Sequence, residues 1–215
     1  MNNADTYKHK GLRKRLVAEI KEKGIYDISV LNTIEKIPRH LFMDSSFLDF
    51  AYQDKAFPIG EGQTISQPYT VAFQTQLLQI KKGQKILEIG TGSGYQTCVL
   101  LEIGAKVYSI ERIKNIYQKT KQFLPSIGYQ ANLFYGDGYK GLPAFSPFDR
   151  IIVTAGAPYI PDQLIEQLKP EGILVIPIGE GDTQVMTTIT KMSNGDIEKK
   201  EWGTFRFVPM LDQKK

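Results

Sequence analysis

Apolar positions change their period near residue 83. Leu12, Leu16, Val17 and Ile20 recur at helical spacing, and Ile28, Leu31, Ile34 and Ile37 form a second stripe that Pro38 ends. Phe73, Leu77 and Ile80 continue a third stripe behind Pro68, a residue suited to the first turn of a helix. Beyond Lys81-Lys82-Gly83, short apolar runs alternate with amphipathic stretches. They predict strands at Lys85–Ile89, Lys106–Glu111, Asn132–Tyr135, 149–153 and 172–178, with helices at Tyr95–Ile103, 115–124 and 161–168. Strand, helix, strand at this spacing means βαβ units and a parallel sheet. Gln184–Lys191 alternates weakly, Asn194-Gly195 is a hairpin signal, and 201–208 reads as the returning strand, so an antiparallel hairpin closes one edge. The expected class is α/β: a doubly wound, mostly parallel sheet with helices on both faces. The expected division is a helical extension over 1–80 and a core over 81–215, together one compact domain.

Composition narrows the chemistry. Of 215 residues, 41% are hydrophobic and 11% aromatic, enough to build a core and to exclude disorder as the main state. The single cysteine, Cys98, rules out an intramolecular disulfide framework and a multi-cysteine metal cluster; its expected place is packed on the helix after residue 94. His9 and His40 stand 31 positions apart without metal-ligand spacing, so no metal is expected, and His40 reads as a surface or capping residue. Twenty-seven basic and 23 acidic residues, well mixed, give a net charge of +4, too dispersed to indicate nucleic acid. The longest apolar run, Ile173-Leu174-Val175-Ile176-Pro177-Ile178, is strand length, whereas a bilayer needs roughly 20 residues. The start, Met1-Asn2-Asn3-Ala4-Asp5, lacks the apolar centre of a signal peptide. The expectation is a cytoplasmic protein, monomeric, with no membrane and no nucleic-acid partner. Asn194-Gly195 is also a deamidation pattern, because glycine leaves the next backbone nitrogen free to attack the amide. Slow isoaspartate formation is expected there, unless a tight hairpin holds that nitrogen out of reach.

The segment Ile86-Leu87-Glu88-Ile89-Gly90-Thr91-Gly92-Ser93-Gly94-Tyr95 runs from a strand through alternate glycines into a helix. Such a loop lets a ligand approach the backbone closely. A dinucleotide fingerprint needs Gly-x-Gly-x-x-Gly, but position 95 is tyrosine, and no Gly-Lys-Ser/Thr follows to make a P-loop. Glu111 ends the next strand, 21 residues after Gly90, where a carboxylate can accept ribose hydroxyls. Asp137, in Gly136-Asp137-Gly138, ends the third strand and is placed to face an adenine amino group. A glycine loop with two strand-end acids describes a pocket for a nucleoside without a pyrophosphate.

These residues resemble a known family. Glu-x-Gly-x-Gly-x-Gly at 88–94 is similar to the S-adenosylmethionine loop of class I methyltransferases. More narrowly, Pro58-Ile59-Gly60-Glu61-Gly62-Gln63-Thr64-Ile65-Ser66-Gln67-Pro68-Tyr69 resembles the block preceding that loop in the protein-L-isoaspartate O-methyltransferases. So do 87–96, Ser109-Ile110-Glu111-Arg112, Gly136-Asp137-Gly138, 148–158, 168–179 and Phe205-Arg206-Phe207-Val208-Pro209, in order over about residues 12–210. One departure is Thr154-Ala155-Gly156-Ala157-Pro158, where the family more often has alanine at the centre. The resemblance implies a Rossmann-like sheet with an N-terminal helical cover, S-adenosylmethionine as methyl donor and isoaspartyl residues of damaged proteins as acceptors. It implies Ser66 as active-site residue, with Ile65, Gln67, Val208 and Pro209 beside the substrate. It implies Glu111 as ribose binder, Asp137 and Gly138 as adenine contacts, and Gly60, Gly62, Gln63, Glu88, Gly90, Gly92 and Arg112 as further cofactor contacts.

The chemistry is consistent with the residues. An isoaspartyl carboxyl has a pKa near roughly 3.5 to 4, so the acceptor is already an anion at neutral pH and needs no general base. The enzyme must align oxygen and methyl carbon and exclude water from an anion that becomes a neutral ester. Serine suits that task better than lysine, which would stabilise the reactant more than the transition state. Ser66 equally fits a plain role at the start of the helix behind it, and 205–210 fits an ordinary edge strand as well as a substrate-facing tail. Other readings are a nucleic-acid or small-molecule methyltransferase on the same fold, or a non-catalytic cofactor-binding module. Against a nucleic-acid enzyme stand the lack of an Asn/Asp-Pro-Pro-aromatic motif at 153–158 and of a proline before Cys98.

Overall fold

A computed structural model describes residues 5–211. The chain opens with α1 (Tyr7–Glu22) and α2 (Ile28–Lys36), then a two-stranded hairpin of β1 (Phe57–Gly60) and β2 (Gln63–Ile65), then α3 (Pro68–Leu77). Alternation follows: β3 (Lys85–Ile89), α4 (Tyr95–Ile103), β4 (Lys106–Glu111), α5 (Lys114–Ser126), β5 (Asn132–Tyr135), β6 (Phe148–Val153), α6 (Asp162–Glu166), β7 (Leu168–Ile178), β8 (Gln184–Lys191) and β9 (Ile197–Phe205).

Local sequence explains most boundaries. Thr6 and His9 form a capping box on α1, each side chain accepting the other's backbone N–H, and Asp27 caps α2 through Ser29 N and Val30 N. Gly94 and Gly104, both left-handed, bound α4. The β1–β2 hairpin has no counterpart in the sequence reading, because strands of four and three residues leave too few positions for alternation to register.

The main sheet has the order β5-β4-β3-β6-β7-β8-β9. Its first five members run parallel, and β8 and β9 add antiparallel to β7. After β3 the chain winds outward through β4 and β5, then crosses back to β6 on the other side. The carboxyl ends of β3 and β6 therefore flank a topological switch point, where such sheets open a crevice.

Three expectations shift. The helix expected over 161–168 is confined to α6, and Leu168 already pairs with Phe148, so β7 starts four residues before Gly172. Pro170 and Gly172 hid that start; a register shift between Phe148 and Arg150 accommodates them. The returning strand is β9, not 201–208, because Lys191 pairs with Ile197 directly across the Asn194-Gly195 turn. Arg206 to Val208 leave the sheet, which matters below.

The helical extension is not a separate lobe. Leu16, Ile20, Val30 and Ile34 share one core with Ile65, Val71 and, from α4, Tyr95, Cys98 and Val99. Cys98 is fully buried there, and burial pushes its thiol pKa up. His40 is buried too, not at the surface: its Nδ1 lies 2.5 Å from the Tyr52 hydroxyl and its ring centroid lies 4.0 Å from that of His9, the two rings tilted by 34°. Asp5 joins the two histidines, with potential ligand atoms of all three within 4.8 Å, an adjacency that sequence separation concealed. Both Asp5 carboxylate oxygens are held by the Arg13 guanidinium, at 2.7 and 2.8 Å.

The Asn194-Gly195 turn is tied down. Gly195 N–H donates to Met192 O at 2.9 Å, while Asn194 Oδ1 accepts from Asp196 N and Asn194 Nδ2 donates to Asp196 Oδ2. Attack on the amide requires these bonds to open. Asp196→Ala should therefore accelerate isoaspartate formation at position 194 relative to the unaltered chain, measured by peptide mapping of aged protein.

Candidate active site

The crevice floor is the glycine loop. Gly90 has φ 95° and Gly92 has φ 53°, conformations that side chains strain to adopt, and a Cβ on Gly90 would lie 2.5 Å from Thr154 Oγ1. That hydroxyl donates to Gly90 O at 2.7 Å, tying the loop to the end of β6. From the β4 side, Glu111 accepts from Gly92 N at 2.9 Å through Oε2 and from Ile113 N at 2.9 Å through Oε1. One nearly buried carboxylate thus holds both the loop and the start of the next segment.

Above the loop lies a cavity of about 880 Å³, its open mouth included. That volume suits a ligand of nucleoside size or somewhat larger. Gln63, Ile65, Ser66, Gly90, Gly92, Glu111, Arg112, Gly138, Val208 and Pro209 all line it. The strand ends bring Gly90, Glu111 and Gly138 together; β2 and the segment into α3 bring Ile65 and Ser66. Val208 and Pro209 arrive because Gly156 N–H donates to Val208 O at 2.9 Å and Met210 N–H donates to Gly156 O at 2.7 Å, docking the C-terminal segment beside β6.

Five expected residues lie off the cavity wall. Gly60 and Gly62 sit in the exposed β1–β2 turn, and Gly60 lines a neighbouring groove instead. Gln67 lines a small adjoining pocket that it shares with Ser66. Asp137 turns back on its own chain, its Oδ1 accepting from Tyr139 N at 3.0 Å, so that Gly138 and not Asp137 faces the cavity. Glu88 is fully buried behind the loop, accepting from Thr97 Oγ1 at 2.5 Å. Through that bond it is tied to α4. Burial without a cationic partner pushes its pKa up to about 8, with the nearby Glu111 charge adding to the effect.

Sequence reasoning missed Gln74, Gln96 and Thr154 in the wall. Gln74 Nε2 donates to Val153 O at 2.9 Å and Gln96 Nε2 to Thr75 Oγ1 at 3.0 Å. Their signal was an amide on the apolar face of a helix, which alone does not separate core from site. Gln96 Oε1 and the Arg112 Nε and Nη1 atoms are buried without a hydrogen-bond partner among the described residues. Such orphaned groups beside an apolar wall of Ile89, Ile110 and Ile113 fit a ligand with a flat ring system and polar edges.

Comparison with known proteins decides the family. Residues 11–215 match the family model of protein-L-isoaspartate(D-aspartate) O-methyltransferase. The chain belongs to this family. It is 61% identical to the protein-L-isoaspartate O-methyltransferase of Christiangramia forsetii, covering 98% of this chain and 99% of that one, and 46% identical to that of Salinibacter ruber, covering 98% and 96%. A solved protein-L-isoaspartate O-methyltransferase superposes with a TM-score of 0.82 at 30% identity, over 92% of this chain and 65% of that one. Another, from Plasmodium falciparum in complex with S-adenosyl-L-homocysteine, gives 0.79 at 29% identity over 93% and 98%. The protein is thus an S-adenosylmethionine-dependent protein-L-isoaspartate O-methyltransferase with the Rossmann-like sheet that the sequence resemblance implied.

The glycine at position 156 has a structural counterpart in this methyltransferase. A Cβ there would lie 2.7 Å from Gln184 Cδ, and the Gln184 side chain occupies that space. Gln184 Oε1 accepts from Phe207 N at 2.9 Å, so the missing methyl makes room for an amide that pins the segment leading to Val208.

The raised pKa of Glu88 carries a prediction. Its folded value of about 8 exceeds the unfolded value of 4.5, so unfolding releases a proton throughout that interval. The stabilising contribution is complete below the unfolded pKa and is lost as pH rises through the folded one. Denaturant unfolding between pH 5 and pH 9 should show falling stability for the unaltered chain and a flatter profile for Glu88→Gln, which keeps the neutral shape.

Proposed function

We propose that the cavity seats S-adenosylmethionine against the glycine loop and admits the isoaspartyl carboxylate at Ser66. The observation that carries this reading is a single cavity lined by both Glu111 and Ser66, with Ile65, Val208 and Pro209 beside them. Glu111 has spent one lone pair of each oxygen on Gly92 and Ile113, and a carboxylate offers about four such sites in all. The remaining two are free to accept a vicinal pair of hydroxyls, as on a ribose. Gly92 and Gly138 let the backbone come close, and the Ile110 and Ile113 side chains supply flat apolar contact. Arg112 and Gln96 supply unpaired polar atoms at the ring edges. When bound, S-adenosylmethionine supplies an electrophilic methyl group on a sulfonium.

The acceptor carboxylate arrives ionised, so no proton has to be removed. In keeping with this, the described cavity wall carries no histidine, cysteine or lysine. Ser66 donates its hydroxyl proton to one carboxylate oxygen and leaves the other to react. Ser66 precedes the N-terminus of α3, whose backbone dipole favours an anion. Ile65, Val208 and Pro209 displace water from that anion, which raises its reactivity as its charge is lost. In this reading residues 1–80 serve as the cover of the site, since Gln63, Ile65, Ser66 and Val71 form part of its wall. The same proposal takes the enzyme to be a cytoplasmic monomer acting on protein and not nucleic acid; no helix among the described residues is long and apolar enough to cross a membrane.

Labelled-methyl transfer to an isoaspartyl peptide, with the aspartyl twin as control, tests the reading. Ser66→Ala should lower kcat by about tenfold or more, the worth of a hydrogen bond to a charged group, with KM for S-adenosylmethionine unchanged. Glu111→Ala should weaken S-adenosylmethionine binding by about a hundredfold in calorimetry, because two ribose bonds and the loop anchor are lost together. Unchanged kinetics in Ser66→Ala would remove the side chain from the mechanism.

A further inference from the structure

The first turn of α3 lacks the cap that its position demands. Its N-cap, Gln67, makes no side-chain capping bond, and Pro68, the first helical residue, has no N–H to offer. Tyr69 N–H is therefore the first donor of the helix, three residues after Ser66. It donates at 2.7 Å to Asp54 Oδ1, a carboxylate 15 positions earlier in the chain. The Asp54 side chain is only 3% exposed, and its other oxygen accepts from Lys23 Nζ at 2.7 Å. Lys23 caps the end of α1 and is steadied on its other side by Glu19 at 2.6 Å. One buried carboxylate thus ties the end of α1 to the start of α3, three residues along the chain from Ser66.

We propose that Asp54 is a positioning residue for methyl transfer, a cap donated from outside the helix that fixes the first turn of α3 and so the place of Ser66. This rests on the reading of Ser66 given above. The side chain placed to cap this turn from within the segment is Gln67, which makes no such bond and lines the small pocket it shares with Ser66. Asp54 reaches the first free amide of the turn from outside the segment 63–67 and is not part of the cavity wall. Its charge would oppose an anionic acceptor; Lys23, salt-bridged at 2.7 Å, offsets it. The Asp54 carboxylate accepts and never donates here, so an amide of the same shape can replace it at Tyr69.

Three variants in the intact enzyme test the inference. Asp54→Ala should lower kcat for isoaspartyl peptide by about tenfold to a hundredfold through misplacement of Ser66, with KM for S-adenosylmethionine within about twofold. Asp54→Asn, which retains an acceptor oxygen, should hold kcat within about threefold of the unaltered enzyme. Full activity in Asp54→Ala, or an equal loss in both variants, overturns the proposal. If the alanine variant does not fold, hydrogen exchange at the Tyr69 amide decides: protection in the unaltered enzyme and in Asp54→Asn supports the cap, and rapid exchange overturns it. Ser66→Ala separates the two readings. If it is fully active, the role of Ser66 fails and the brace loses its purpose; if it is impaired while Asp54→Ala is not, the brace alone fails.

Discussion

The structure depends most on the two hydrogen bonds that the Glu111 carboxylate accepts, from Gly92 N–H and from Ile113 N–H. A loop of alternate glycines has no side chains to hold its shape, and each residue pays maximal conformational entropy on ordering. Glu111 supplies the missing constraint from the neighbouring strand, and Thr154 supplies a second from β6. Because β3, β4 and β6 are adjacent in a parallel sheet, these anchors are rigid in relation to one another. The loop can then present open backbone to a ligand without collapsing into the crevice it lines.

The carboxylates around the loop divide their tasks by environment. Glu88 lies off the cavity wall, fully buried; it accepts from Thr97, and burial pushes its pKa up, which lowers the cost of a carboxyl without a cationic partner inside the sheet. Glu111 keeps two backbone donors and a cavity wall. Asp137 closes its own short turn, and Gly138 lines the cavity beside it. Three acids at or near the ends of successive strands thus divide into a support, an anchor with capacity to spare and a cap.

The N-terminal helices are bound to this site through packing and through the ion pairs Lys23–Asp54 and Lys36–Glu102. Their apolar stripes share a core with α4, the helix that the glycine loop begins. Asp54 and Lys23 extend that coupling to α3. At the other side of the crevice the C-terminal segment is held by Gly156 and Gln184, which draws Val208 and Pro209 to the mouth. The strand expected over 201–208 ends at Phe205; beyond it Gln184 holds Phe207 through its side chain and Val208 reaches the cavity.

Sequence alone determined the alternation of strands and helices, the glycine loop, the acid at position 111 and, through resemblance, the family and its chemistry. These are local facts: period, glycine spacing and strand ends follow from which side chains neighbour one another along the backbone. Only the tertiary structure decided which acids line the cavity, that Gly60 and Gly62 lie off it, that His40 is buried against His9, and that Asp54 caps a helix 15 residues away. Such relations depend on the angle at which elements pack and on which donor is left without a partner. Neither quantity has any signature in residue spacing, because it is the folded geometry, and not the order of the chain, that sets the distance between groups.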